Sequence, residues 1–463
     1  MRRFLSQMLQ GVKKKAAEAL PLPPSAPESV TVRWRAPWGL KQTTMDDTAK
    51  LSRQQWRIVW LASLGGSLEF YDFIIYGLFV PYISHQFFPS DNPTVSLILS
   101  FSVLALGFLA RPLGGLILGR FGDRYGRRPV FVASLGLTTL ATILIGLLPS
   151  YQHWGLLSPI LLVAIRAVQG MCLGGELPGA LTYAVEAAPK RSGLAGGVII
   201  LCLNAGVLLA LCVNLCIHTF LSPDEIASYG WRVAFLLGGV IGIVSFRLRR
   251  RLEESPEFLK LQRGPARTPL RDLLTRNKMT LLVGAGVTAA MAGYNGLLFG
   301  FLPTYLVNSL HYPSGQAALA MAVALVPASI TTILAGWAAD FFPRYLLLRA
   351  GTLLMLLISY PFYAMMVGHV ANIVLLVSGL SLAFSIISGT WPSVLAALFP
   401  TETRFSGIAL SYNISITLLS GFAPLAATVL IAHTGNVASP GLLVAGCSAL
   451  GLLSSFFVQR YTA

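Results

Sequence analysis

Two carboxylates, Glu69 and Asp72, stand three residues apart inside the apolar run Ile58–Ile83, IVWLASLGGSLEFYDFIIYGLFVPYI. Side chains at that spacing fall on neighbouring parts of one helical face. At about 1.5 Å per residue the run extends roughly 39 Å, enough to cross a hydrocarbon layer of about 30 Å. An ionised carboxylate at such depth costs at least a few kcal/mol unless it is paired, protonated or facing water. The chemistry open to it is therefore proton uptake and release, or permanent ion pairing between helices. Other apolar runs hold Glu176 and two arginines, Arg111 and Arg166. Counted by rise, Asp72 lies about fifteen residues from the inner end of its run and Arg166 about ten from the outer end of its own, so the two sit at similar depth. A nearby guanidinium favours the ionised form of a carboxyl and burial favours the neutral form, so a change of conformation can move the proton.

The elements that must position these groups follow from composition. The 463 residues are 55% apolar and 11% charged, against about 25% charged in soluble domains, and the mean hydropathy is +0.69. Twelve spans are expected, at 58–83, 95–119, 129–149, 156–185, 193–217, 231–247, 279–307, 315–339, 345–367, 371–391, 406–432 and 437–459. With the N-terminus inside, 31 of the 34 Lys and Arg fall on the cytoplasmic side. That asymmetry is the positive-inside rule, and it places both termini in the cytoplasm. It also accounts for the net charge of +16 without a nucleic-acid partner. All five cysteines lie in apolar runs, and neither a metal-ligand spacing nor a nucleophile–base constellation is present, so no metal, cofactor or enzymatic activity is expected.

Four regions result: an N-terminal extension 1–57, a six-helix bundle 58–247, a cytoplasmic linker 248–278 holding EESPEF and a short surface helix, and a second six-helix bundle 279–459. The extension reads as a basic amphipathic stretch or transit peptide followed by PLPPSAPES, with Met45 as an alternative start.

Between the second and third spans stands GRFGDRYGRRP (119–129), and the fourth span reads RAVQGMCLGGELPGALTYAVEAAPKRSG. The first resembles the signature loop of the major facilitator superfamily. The second, with Glu69 to Phe73, Arg111 to Gly114, YGWRVAF (229–235) and LFPTETRFSG near the eleventh span, resembles the metabolite:proton symporter branch, which carries proline and betaine, citrate, 2-oxoglutarate and shikimate. The resemblance covers roughly residues 56 to 459. It implies an all-α membrane protein of twelve transmembrane helices in two pseudo-symmetric halves, with the site near the bilayer midplane at their interface. It further implies a protonation-sensitive pair of Asp72 with Arg166, as in proton-coupled sugar porters, with Glu69 and Glu176 as further proton-coupling acids. Gly119, Gly122, Asp123, Arg124, Gly126, Arg127, Arg128, Glu186 and Arg191 would form the cytoplasmic gate. Arg111, Tyr294, Asn295, Trp391, Tyr412 and Asn413 are the substrate-binding candidates, Arg111 either binding an anion directly or pairing with Glu69 or Glu176.

Two departures stand out. GWAADFFPRYLLL (336–348) keeps Asp340 and Arg344 but lacks the glycines of the signature loop, and the fifth span has Ile200, Leu201 and Cys202 where polar glutamines are common. The function expected is proton-coupled symport of a small carboxylate or zwitterion by a monomer in the bacterial inner membrane. Its partners would be the substrate, protons and the lipid bilayer. Proton-antiport export, facilitated uniport and a non-transporting sensor are the competing readings.

Overall fold

The computed structural model describes residues 51–255, 258–259, 273–275 and 277–461. The expected N-terminal amphipathic stretch and the middle of the 248–278 linker lie outside the described residues. Within them the chain is helical and no strand occurs. Eleven helices are long and apolar enough to cross a membrane: α1 (Arg53–Phe87), α2 (Val95–Tyr125), α3 (Arg127–Leu147), α4 (Leu157–Ala187), α5 (Pro189–Phe220), α6 (Pro223–Arg249), α7 (Lys278–Ser309), α8 (Ser314–Ala338), α9 (Arg344–Val367), α10 (Ile373–Ala397) and α11 (Arg404–Thr434). A shorter apolar helix, α12 (Pro440–Ser455), makes the twelfth. In hydrocarbon every backbone N–H and C=O must be satisfied within the segment, which is why such runs become helices.

Burial is distributed as a bilayer demands. Leu109, Leu113, Leu140, Leu144, Leu334 and Leu357 are exposed on the outside of the bundle, while Ser63, Thr142, Ser381 and Thr390 are buried within it. Exposed leucine on this scale marks a lipid-facing surface, and the chain is an integral membrane protein. In the first half α1 packs on α5, α2 on α4 and α3 on α6; in the second, α8 packs on α10 and both α7 and α9 on α12. Across the halves α2 meets α11 and α5 meets α8, contacts that a two-fold exchange of α2 with α8 and α5 with α11 interconverts.

Several helix ends run past their expected limits, and three of them bear on the site. α1 starts at Arg53 because Ser52 and Gln55 form a capping box, the Ser52 hydroxyl accepting from Gln55 N–H and the Gln55 amide oxygen from Ser52 N–H. α2 continues through the signature segment to Tyr125, leaving Gly126 alone to turn the chain at φ +119, a conformation that glycine adopts without a Cβ penalty. α6 continues to Arg249, carrying into the bundle an arginine that the sequence places in the cytoplasmic linker.

Of the four prolines Pro303, Pro327, Pro392 and Pro424, the second and third lie inside continuous helices. The other two adjoin widened π turns, Gly296–Phe301 before Pro303 in α7 and Ile416–Gly421 before Pro424 in α11. A proline lacks the N–H for its i−4 carbonyl and its ring crowds that carbonyl, which an enlarged turn relieves. The two widened turns meet, with Ser420 backbone standing where a Cβ on Gly296 would lie.

Candidate functional site

Glu69 and Asp72 both face inward from α1 and are buried. Arg166, on α4, donates from Nη1 to Asp72 Oδ2 at 2.7 Å and to Gln169 Oε1 at 2.8 Å. Gln169 Nε2 donates to Thr142 Oγ1 at 3.0 Å, and the Thr142 hydroxyl, on α3, reaches Asp72 Oδ1 at 3.0 Å or its own helix at Thr138 O at 3.0 Å. The four side chains close a ring from three helices. The Arg166 guanidinium also lies over the Tyr76 ring, 3.9 Å from its centroid, which helps to hold a desolvated cation. Gln169 and Thr142 were not singled out from the sequence. A polar residue three positions after a buried arginine on the same span was the available signal for Gln169.

Glu69 pairs with Arg111 of α2 at 3.2 Å, without the alignment of a hydrogen bond at either carboxylate oxygen. Arg111 lies over the Phe108 ring at 4.9 Å, and the Tyr412 hydroxyl of α11 is within hydrogen-bonding reach of it. Glu176 joins neither pair. Arg249 Nη1 approaches its Oε1 at 2.6 Å, and the same guanidinium donates to Phe131 O and Ala62 O and covers the Phe131 ring at 3.7 Å. Three buried acids are thus matched one to one with three buried arginines, α1 to α4, α1 to α2 and α4 to α6. Arg249 is the partner that sequence reasoning missed.

Two of three cavities lie against the pairs of Asp72 and Glu69. The largest, about 450 Å³, is bounded by α1, α2, α7 and α11, and Arg111, Asn295 and Tyr412 are on its wall. A crevice of about 20 Å³ between Asp72, Arg166, Gln169 and Arg111 adjoins it through shared Phe73 and Phe108. A third, about 40 Å³, lies among α5, α7, α8 and α10 with Asn204, Asn295, Ser381 and Ser385 on its wall; Ile200 of the unusual α5 segment also lines it. Three other candidates line none of the three. The Tyr294 hydroxyl is bonded to Ser381 at 3.0 Å, Trp391 Nε1 donates to Thr288 Oγ1 at 3.0 Å, and Asn413 Nδ2 donates to Gly174 O and Ala409 O at 2.7 Å. Tyr294 and Trp391 tie helices within the second half, and Asn413 ties the halves together.

At the end of the bundle bearing the signature segment the halves are joined by a second set of charges. Asp123 accepts from the backbone N–H of Phe405 and Ser406, at 3.3 and 2.9 Å, in the first turn of α11. Gly119 and Gly122 leave room for Ser406 and Phe405 to seat directly on α2. Arg127 contacts Glu186 at 2.9 Å and Asp123 at 3.8 Å and donates to Thr401 O at 2.7 Å, while Arg404 reaches Glu186 at 3.2 Å from the other half. Ser255 donates to the remaining Glu186 oxygen. Arg127 and Arg128 donate backbone N–H to Glu254, and Arg128 also binds Arg250 O. Arg124 lies over the Tyr125 ring and Arg191 over that of Phe341.

The segment that keeps the acid but not the glycines repeats this contact. Asp340 accepts from Gly193 and Leu194 N–H, at 2.7 and 3.0 Å, in the opening turn of α5. Each carboxylate therefore satisfies orphan N–H groups at the positive end of a helix from the opposite half. Burial pushes the Asp340 carboxyl above its usual range, against the pull of those N–H groups and of Arg344 and Arg191.

Comparison with known proteins gives a consistent picture. The profile of the Major Facilitator Superfamily matches residues 62–424. A citrate-proton symporter of Klebsiella pneumoniae is 31% identical over 402 residues, 86% of this chain and 90% of that protein. The glycine betaine/proline/ectoine/pipecolic acid transporter OusA of Dickeya dadantii (strain 3937) is 29% identical over 438 residues, 92% of this chain and 86% of that protein. Among solved structures, the proton:xylose symporter XylE bound to 6-bromo-6-deoxy-D-glucose superposes with a TM-score of 0.73 at 19% identity, covering 89% of this chain and 97% of that one.

Proposed function

The chain belongs to the major facilitator superfamily, and on that premise we propose that it is a proton-driven symporter importing a small carboxylate or zwitterion across a bacterial inner membrane. The observation that carries this reading is the Asp72 ring, a protonatable group tied to a cation one crevice away from a cavity that holds a second cation. The names of relatives agree with it: one is a citrate-proton symporter and others are proline/betaine transporters. The basic end is cytoplasmic by the positive-inside rule, and the contacts of Asp123, Arg127, Glu186, Arg404 and Asp340 form its closed gate.

Alternating access then follows. A proton from outside neutralises Asp72, Arg166 is released from its ion pair, and the α3–α4 side of the ring loses its hold on α1. The halves rock, the two carboxylate–helix contacts part, and the cavity opens inward. There Asp72 meets the higher cytoplasmic pH and gives up its proton. The membrane potential, worth about 2.3 kcal/mol per charge per 100 mV, acts in the same direction.

Protein reconstituted in liposomes should accumulate substrate from a panel of labelled carboxylates and zwitterions when an inward proton gradient is imposed, and a protonophore should abolish accumulation. Uptake indifferent to the protonophore would make the protein a uniporter. Gradient-driven efflux with no uptake would make it an exporter.

A further inference from the structure

We infer that the substrate is a monocarboxylate with a bulky, flat apolar body, an aromatic acid, whose carboxylate is taken by Arg111 and whose ring lies among the phenylalanines of the large cavity. This rests on the symport reading and names the substrate class of the same site.

Four observations carry it. First, the wall of the 450 Å³ cavity holds six phenylalanines, Phe70, Phe73, Phe101, Phe108, Phe299 and Phe301, and one charged residue, Arg111. A pocket of this volume with an apolar wall and a single convergent charge suits a ligand built the same way. Second, the rings stand edge to face, Phe73 on Phe108 at 5.1 Å and Phe70 on Phe299 at 6.4 Å, both at 81°. Each such pair presents a face beside an edge, the arrangement into which another ring packs. Third, a polycarboxylate would need several cations, yet Arg166 lines only the neighbouring crevice of about 20 Å³ and does not reach the wall of the large cavity. Fourth, no acid lines the cavity to receive an ammonium group, and the face of Phe108 is already occupied by Arg111 at 4.9 Å.

Arg111 is released to the substrate by Glu69, whose oxygens make no aligned hydrogen bond to it. When Glu69 takes up a proton and the substrate carboxylate takes its place, the net charge of the site is unchanged. The charged and titratable groups facing Glu69 are Arg111 from α2, Glu176 from α4, Arg249 from α6 and Tyr412 from α11. Binding of an aromatic carboxylate should therefore strengthen as the medium is acidified from neutrality, while the ligand itself stays ionised.

The test is equilibrium binding to the full chain in lipid nanodiscs, with benzoate, 2-naphthoate, benzamide, benzyltrimethylammonium, citrate and glycine betaine as probes. Benzoate should bind about tenfold or more tighter than benzamide, the worth of one charge-assisted contact. 2-Naphthoate should bind tighter still, by about tenfold for the extra apolar surface. Arg111→Gln should remove the preference for the acid over the amide, and Phe299→Ala should weaken benzoate by about three- to tenfold. The ligand series on the unaltered protein decides the matter even if a variant fails to fold. Benzamide binding as tightly as benzoate, or citrate, glycine betaine or the quaternary ammonium binding more tightly, would overturn the assignment.

The symport reading fails separately. If aromatic acids do not bind while a proton gradient drives uptake of citrate or glycine betaine, the substrate class falls and symport stands. If benzoate binds in the stated pattern but its protein-dependent uptake ignores the gradient, symport falls and the class stands.

Discussion

Replacing Asp72 by asparagine removes one charge and very little else. In the native ring Asp72 accepts from Arg166 Nη1 at 2.7 Å and from the Thr142 hydroxyl at 3.0 Å. An asparagine oxygen can keep the first contact. Its amide can donate to Thr142 Oγ1, whose own hydrogen turns to Thr138 O, already 3.0 Å away. The ring stays closed, but Arg166 is left as a buried cation with no countercharge at its side. Removing one partner of a buried pair costs about 3–5 kcal/mol, and the preserved hydrogen bonds put this variant at the lower end, about 3 kcal/mol. Adding Arg166→Gln should restore neutrality and recover most of that loss in thermal unfolding. Transport gives the sharper reading. Each proton carried per substrate lets an inward gradient of about one pH unit support a further roughly tenfold accumulation. In proteoliposomes Asp72→Asn should lower the internal to external ratio by at least that factor while exchange of labelled for unlabelled substrate continues. A variant that accumulates as much as the native protein would refute the coupling role of Asp72. One that loses exchange as well, while remaining folded, would make the ring a structural tie.

The Glu176–Arg249 pair is a structural tie on this account. Arg249→Met should lower stability by about 3–5 kcal/mol because Glu176 is left buried without its countercharge, whereas the double variant Glu176→Leu/Arg249→Met should lie near the wild type; thermal unfolding in detergent measures both. The gate should respond to cytoplasmic pH through Asp340. Its carboxyl stands above the ordinary range while buried against α5, so the latched form binds a proton more readily than a form in which water reaches the group. Acid therefore favours the latch, and raising the pH through that range weakens it. Distances between spin labels at positions 190 and 342 should broaden towards longer values as the pH rises, and Asp340→Asn should flatten the response; an unchanged response in that variant would assign it to another group.

Much of this was legible because charge is so scarce in an apolar chain. Asp72 and Arg166 could be matched in depth by counting rise, since each is conspicuous in its span. Pairing of Arg111 with Glu69 was one of the open alternatives. Arg249 was hidden in the run Arg247 to Arg251, which by composition alone reads as a solvated linker; only the length of α6 takes it inside. The available signal was arithmetic: three acids within spans faced two arginines, so a third cation had to come from a helix end. Asp340 was visible as an isolated acid, but its contact with α5 depends on how the halves meet. Tyr294, Trp391 and Asn413 show the converse limit. Their polar and aromatic types made them substrate-binding candidates, but whether such a side chain meets a cavity or a neighbouring helix depends on helix rotation, which the sequence does not disclose.

The three matched pairs all belong to the first six helices, and the described Asp, Glu, Lys and Arg residues of the last six, Lys278, Asp340, Arg344, Arg349, Glu402, Arg404 and Arg460, lie in loops or helix ends on the basic side. One half can thus swing against the other while carrying almost no net electrical cargo through the field of the bilayer. An empty transporter on a voltage-clamped membrane should give little transient current, and any current that does appear on adding substrate belongs to the solute and its proton.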